Sequence, residues 1–199
     1  MIKKQTTILI SFTILLLFVF VPVFYFYSAG TDNVLNAALE PSDHPTLSAD
    51  EKFLRAVYDG EDNIVRELLD SGVDINVRDN TGQTCLHIVR DKNMAVYLIS
   101  RGADISAQET DHGMTPLFFQ NKDIAELLLS GGADVNALSQ EGNTPLIWYA
   151  YSGYLDGAEL LLSNGADINA RNKDGHSALD IAGRFNHRTL ADYLRSQGS

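Results

Sequence analysis

Cysteine is nearly absent from this chain of 199 residues, since Cys85 stands alone. An internal disulfide is therefore excluded, as is any cysteine-based metal site or a lipid-bearing cysteine near the N-terminus. No Asn-x-Ser/Thr sequon occurs, so N-glycosylation is not expected. Basic residues are scarce as well: 15 lysines and arginines stand against 26 acids, a net charge of −11. Such a surface repels a phosphate backbone, which argues against a nucleic-acid partner. It suits solubility or a basic protein partner, whose approach the charge would speed. Enzyme signatures are missing too: there is no His-Glu-x-x-His, Gly-x-Ser-x-Gly or phosphate-binding loop. Nothing in the chain marks a catalytic residue or implies a cofactor.

One long hydrophobic run is present. Ile8 to Tyr27 is interrupted only by Ser11, Thr13 and Pro22, and it follows the basic pair Lys3 and Lys4. Twenty residues at ~1.5 Å each reach roughly 30 Å, the thickness of a bilayer core. The aromatic end Phe24–Tyr27 suits a membrane interface. Two readings stand: an uncleaved signal anchor, or a leader cut after Gly30 at the small residues Ser28, Ala29 and Gly30. Either keeps the lysines in the cytoplasm and exports the chain beyond Tyr27. The short basic start is similar to bacterial leaders, which implies an inner-membrane protein facing the periplasm, or a soluble periplasmic or secreted one. The expected organisation is a cytoplasmic start (1–7), a hydrophobic helix (8–27), a linker (28–50) rich in turn residues, and a folded region (51–199). Within the linker, Asp32–Leu39 has the composition of a short helix.

From residue 51 the chain repeats. Gly72, Gly102, Gly132, Gly165 and Gly198 are spaced 30, 30, 33 and 33 residues apart, with Asn76, Ser106, Asn136 and Asn169 at a fixed offset after the first four. Periods of this size mean stacked supersecondary units. Each unit carries two apolar helical runs, Pro145–Tyr151 and Asp156–Ser163 in the fourth. The glycine closing the second run fits a left-handed helix stop, and Asp, Asn and Gly then form a turn. The boundaries read 51–78, 79–108, 109–138, 139–171 and 172–199.

Thr84-Cys-Leu-His87, Thr115-Pro-Leu-Phe118 and Thr144-Pro-Leu-Ile147 resemble the Thr-Pro-Leu-His signature of ankyrin repeats. Glu126-Leu-Leu-Leu and Glu159-Leu-Leu-Leu, each leading to Gly-Ala-Asp-x-Asn, resemble its second half. The resemblance covers about three quarters of the chain. It implies an all-α solenoid of about five helix-turn-helix units that binds proteins through a concave groove and through its turn tips. Its end units act as polar caps, and His87 is expected to bond turn backbone. For the biological role the resemblance suggests an immunity protein that caps a secreted toxin or phospholipase, or a stress accessory like periplasmic ankyrin proteins linked to catalase. The acidic surface leans toward a basic client such as a toxin. A purely structural spacer with no specific client is a further reading, and an enzyme or metal-binding envelope protein is the rival class. It rests on Asp111–His112, which lacks further ligands, while the Asp-x-Asn turns lack the full set of calcium ligands.

Two repeats run short. Thr84 to Gly102 spans 18 residues and Thr115 to Gly132 spans 17, against 21 for Thr144 to Gly165. The first helix of each, or the turn after it, must be truncated. Tyr149 stands where the family has a small residue, so it is expected to lean into the vacated space beside Phe118 and Phe119. Trp148 and Tyr151, three apart on another face, point toward the groove. Trp148 serves either core or partner, and Tyr151 the partner, since such rings dominate interface hot spots. Arg184 and Phe185 extend that row, and Tyr58 of the first unit joins the set. Tyr154 reads as structural. The turn tips supply Arg78, Asp111, His112, Gln140 and Lys173 as further partner-binding candidates.

Overall fold

A computed structural model describes residues 47–198. The basic start, the hydrophobic run 8–27 and the linker up to residue 46 lie outside the described residues. The described part holds helices and turns with no strand. Its elements are α1 (Ala49–Asp59), α2 (Asp62–Asp70), α3 (Cys85–Ile88), α4 (Lys92–Ser100), a 3-10 turn (Pro116–Phe118), α5 (Lys122–Ser130), α6 (Pro145–Ser152), α7 (Leu155–Ser163), α8 (Ala178–Arg184) and α9 (Arg188–Gln197). Consecutive elements pair into five hairpins. The first members stack as one layer, α1, α3, the 3-10 turn, α6 and α8. The second members form the other layer, in which α4, α5, α7 and α9 pack in succession.

The first helix begins inside the stretch expected to be linker. Ser48 caps it, accepting from the Glu51 amide at 3.2 Å while its own amide donates to the Glu51 carboxylate at 2.8 Å. This reciprocal box satisfies two amides that helix geometry leaves without partners.

The core lies between the two layers. Phe53, Leu86, Leu98, Leu117, Ile124, Leu128, Leu146, Leu161, Ile181 and Leu190 are all sealed from solvent. Each such side chain contributes roughly 1.5–3 kcal/mol of apolar burial. Alanines Ala95, Ala125, Ala150, Ala158 and Ala182 have no exposed surface and let neighbouring helices approach closely.

Each second helix but the last ends alike. Val73 donates to Leu68 and Gly72 to Leu69, and the pattern recurs at Ala103/Gly102, Ala133/Gly132 and Ala166/Gly165. This paired closure needs a left-handed residue, and Gly72, Gly102, Gly132 and Gly165 have φ between 88° and 98°. Gly198 differs from its expected role: α9 runs one residue longer, so this glycine falls at the cap itself with φ −94°.

The short repeats lose their first helix rather than the turn. Against eight residues in α6, α3 has four and the 3-10 turn three. In full-length hairpins a left-handed residue joins the two helices, at Gly60, Gly153 and Asn186. Val89 is extended and Phe119 right-handed instead. Truncation strands carbonyls near the core, and the next repeat satisfies them. Gln120 donates through its amide to the carbonyls of Leu86 (2.8 Å) and His87 (3.1 Å). Tyr149 directs its hydroxyl at those of Leu117 (2.8 Å) and Gln120 (3.0 Å). Both side chains are buried.

Tyr149 thus fills the vacated space, while Phe118 and Phe119 have partners of their own. Phe118 packs with Met114, Ala137 and Trp148 in a cluster of its own, and Phe119 tilts against His87 at 5.8 Å. A 3-10 turn advances three residues per turn rather than 3.6, which re-aims its side chains.

Candidate protein-binding surface

Three of the aromatic candidates come together. Trp148 and Tyr151 lie one turn apart on α6, with ring centres 6.0 Å apart in an edge arrangement. Phe185, which caps α8, places its ring 5.4 Å from Tyr151, also edge-on. All three are half-buried. The row crosses from the fourth repeat to the fifth, and Trp148 anchors it on Met114, Phe118 and Ala137 of the third. Trp148 therefore serves the core and the row at once. Edge-to-face packing of this kind is favourable and holds the rings in place. Burial first, then the Asp174 carboxylate, raises the pKa of the Tyr151 hydroxyl; Arg184 opposes and Glu141 adds to the rise. Those three charges are thus within electrostatic reach of the ring.

Tyr58 stands apart from this row. The Arg90 guanidinium lies 3.8 Å above its ring and bonds its hydroxyl, a cation–π contact that fixes both side chains. Sequence reasoning misses Arg90, because nothing in a sequence marks which arginine will meet a tyrosine 32 residues away.

The turn-tip candidates split by function. Adjacent turns are stitched by backbone bonds: Thr110 donates to Thr81 (2.9 Å), Gln140 to His112 (2.6 Å) and Lys173 to Glu141 (3.0 Å). Arg78 is a brace, its guanidinium donating to the carbonyls of Gly82 (2.8 Å) and Gln108 (2.6 Å). Gln140 also spans turns, its side-chain amide donating to the Thr110 carbonyl at 3.3 Å. His112 pairs with Glu141 at 3.5 Å. Asp111 and Lys173 are exposed at the tips. Within each turn a side chain gathers the amides: Asp79, buried Glu109, Ser139 and Asn172 accept from two or three backbone N–H groups each.

A family model describing ankyrin repeats in three copies matches residues 53–120 and again residues 118–199. The chain belongs to the ankyrin repeat family. A search of curated proteins finds no match. Ankyrin repeats are generally protein–protein interaction modules, and the aromatic row with its polar tips has the ingredients for such a role.

Other chemistry in this ankyrin domain is structural. His87 accepts from the Thr84 amide at Nδ1 (3.0 Å), so Nε2 must carry the proton that it donates to the Met114 carbonyl (3.2 Å). Burial lowers its pKa. The Cys85 thiol is buried, donates to the Ile75 carbonyl at 3.3 Å, and has its pKa pushed up by burial to about 12. Such a thiol is inert. Tyr154 accepts from the Lys122 amide at 2.8 Å and lies 5.3 Å from Tyr149. Among the described residues no group of three or more His, Cys, Asp or Glu is arranged to hold a metal. A cleft between α2 and α4, lined by Asp62, Arg66, Asn93, Met94 and Tyr97, encloses about 30 Å³, enough for a water or two.

Proposed function

We propose that this ankyrin domain is a non-enzymatic binding module whose principal contact surface is the row Trp148, Tyr151 and Phe185. The observation that carries the reading is three half-exposed rings held edge to face across two repeats. Rigid aromatic groups that are half desolvated before binding lose little entropy on association and supply most of the energy at interfaces. The exposed tips Asp111 and Lys173, with His112 and Arg184, form the polar rim of the same surface.

In the same proposal residues 8–27 anchor the protein in a bacterial inner membrane, with the ankyrin domain in the periplasm, or serve as a leader removed after Gly30. The length of the apolar run and the preceding lysines support this. Of the two envelope roles suggested by resemblance, the acidic charge favours neutralisation of a basic secreted toxin.

The test is crosslinked co-purification of the full chain from its own cells beside the Tyr151→Ser/Phe185→Ser variant. Trp148 is left intact because its core contacts make its loss ambiguous. A partner held by the unaltered chain and lost by the folded variant supports the reading, and a partner retained by the variant refutes the aromatic row. The intact mass of the purified protein decides between Met1 and Thr31 as its first residue.

A further inference from the structure

The aromatic row has an electrostatic rim. Three consecutive turn tips carry one exposed carboxylate each, Asp111, Glu141 and Asp174. Glu141 and Asp174 stand on adjoining tips, joined where the Lys173 amide donates to the Glu141 carbonyl at 3.0 Å, and the row rises on α6 and α8 directly after those tips. Two cations stand among them, since Arg184 acts on Tyr151 in the opposite sense to these acids and Lys173 lies next in sequence to Asp174, while His112 lies 3.5 Å from Glu141. The balance is decided by the rest of the domain. From residue 47 onward 13 basic side chains face 23 acidic ones, so the row sits in the field of a net charge of −10. Tyrosine and tryptophan faces attract cations through the ring quadrupole, more strongly where water is partly excluded. Carboxylates beside such a face add a second attraction for the same ligand.

We infer that the row takes a cationic side chain, an arginine or lysine from a basic segment of the partner, over the Tyr151 ring with Glu141 and Asp174 alongside. This rests on the reading of the row as the binding surface and adds the chemistry that it selects. Arginine is the better fit, because its planar group stacks on a ring while its N–H fork meets a carboxylate. The acidic field speeds the encounter, and the rings and the two carboxylates supply selectivity.

Trp148 is the chain's one tryptophan and adjoins Tyr151, so its emission reports directly on the row. The experiment titrates the full-length chain, held in a zwitterionic detergent, with a short alternating Arg-Gly peptide. Glu-Gly and Leu-Ser peptides of equal length run beside it. The Arg-Gly peptide is expected to change the emission saturably, with affinity falling as salt rises. Glu141→Gln with Asp174→Asn is expected to raise Kd about tenfold, the effect of two partly screened rim charges. Neutralising Glu126 and Glu159 on the outer helices is expected to leave Kd unchanged. Tyr151→Phe keeps the ring face and should still bind, whereas Tyr151→Leu should not.

Several results would overturn the inference. One is no response to Arg-Gly; another is equal loss from the rim and outer pairs, which would mean long-range attraction alone. Equal response to Leu-Ser would mean an apolar occupant, and an emission change with the chain's own concentration would mean a second copy on the row. The two readings fail separately. If the Tyr151→Ser/Phe185→Ser chain loses its native partner while Arg-Gly never binds, the surface stands and its cation selectivity falls. If the native partner is kept, the surface itself falls.

Discussion

The hydroxyl of Tyr149 lies 2.8 Å from the carbonyl of Leu117, and that bond closes the truncated helix of the neighbouring repeat. The same oxygen is 3.0 Å from the carbonyl of Gln120. Tyr149→Phe keeps the ring but strands both carbonyls in the core. It is expected to cost about 1–3 kcal/mol of unfolding free energy, the penalty for leaving buried polar groups without partners. Tyr149→Ala restores the small residue usual for the family and is expected to cost more, about 3–5 kcal/mol, because it also opens a cavity. Urea unfolding of the two variants measures both. An alanine as stable as the wild type would show that the space had collapsed without it.

His87 makes stability depend on pH. Its ring is neutral when folded, with burial holding the pKa below the ordinary value. The unfolded chain takes up a proton near pH 6.5 and the folded chain does not until a lower pH. The contribution is therefore fully present above about pH 6.5 and is lost as pH falls through that value toward the folded pKa. Protonation would set an N–H at Nδ1 against the Thr84 amide. A His87→Gln variant should be less stable at neutral pH and show a flatter decline between about pH 7 and 5. Chemical denaturation across that range tests the slope.

The loops carry an asparagine ladder with one rung missing. Asn76 accepts from the Asp104 amide at 2.8 Å, and Asn136 does the same for Asp167 at 2.8 Å. Ser106 occupies the equivalent place and turns back onto Asp104 instead, at 2.8 Å. Its side chain is one bond too short to cross. Ser106→Asn should restore the rung and add about 0.5–1 kcal/mol, and Asn136→Ser should remove a like amount. Equal denaturation midpoints for all three chains would show that the ladder contributes nothing.

Cys85 offers a reporter of opening. With the thiol buried and its pKa pushed up to about 12, a disulfide reagent at neutral pH should fail to modify the native protein. Modification should occur only when α3 leaves the stack, so its rate under mild denaturant measures local opening of the second repeat. Rapid labelling of the folded protein would contradict the packing around α3.

Much of the fold is legible in the sequence because repeats write their period in glycine, aspartate and asparagine, whose turn roles are local. Counting from Thr84 and Thr115 locates the truncations, and Tyr149 stands out as oversized. The role of Gln120 is invisible there, since its carbonyl partners lie 33 and 34 residues away. Arg78 and Gln140 look like free tip residues for the same reason, yet they brace neighbouring turns. The partners of Phe118 and Phe119 are not legible in the sequence, because a 3-10 turn does not keep the 3.6-residue projection of an α-helix. The row of Trp148, Tyr151 and Phe185 comes from spacing within one helix plus the repeat period, both of which survive folding.

The hand-over of hydrogen bonds from Gln120 to the second repeat and from Tyr149 to the third runs in one direction only. Each short unit is completed by the unit made after it. During synthesis the second repeat waits for residue 120 and the third for residue 149 before their helix ends are satisfied. A nascent chain arrested between those points would hold carbonyls in need of a donor, and a C-terminal deletion would loosen units that it never touches. Loss of the first repeat would leave both of these seals in place.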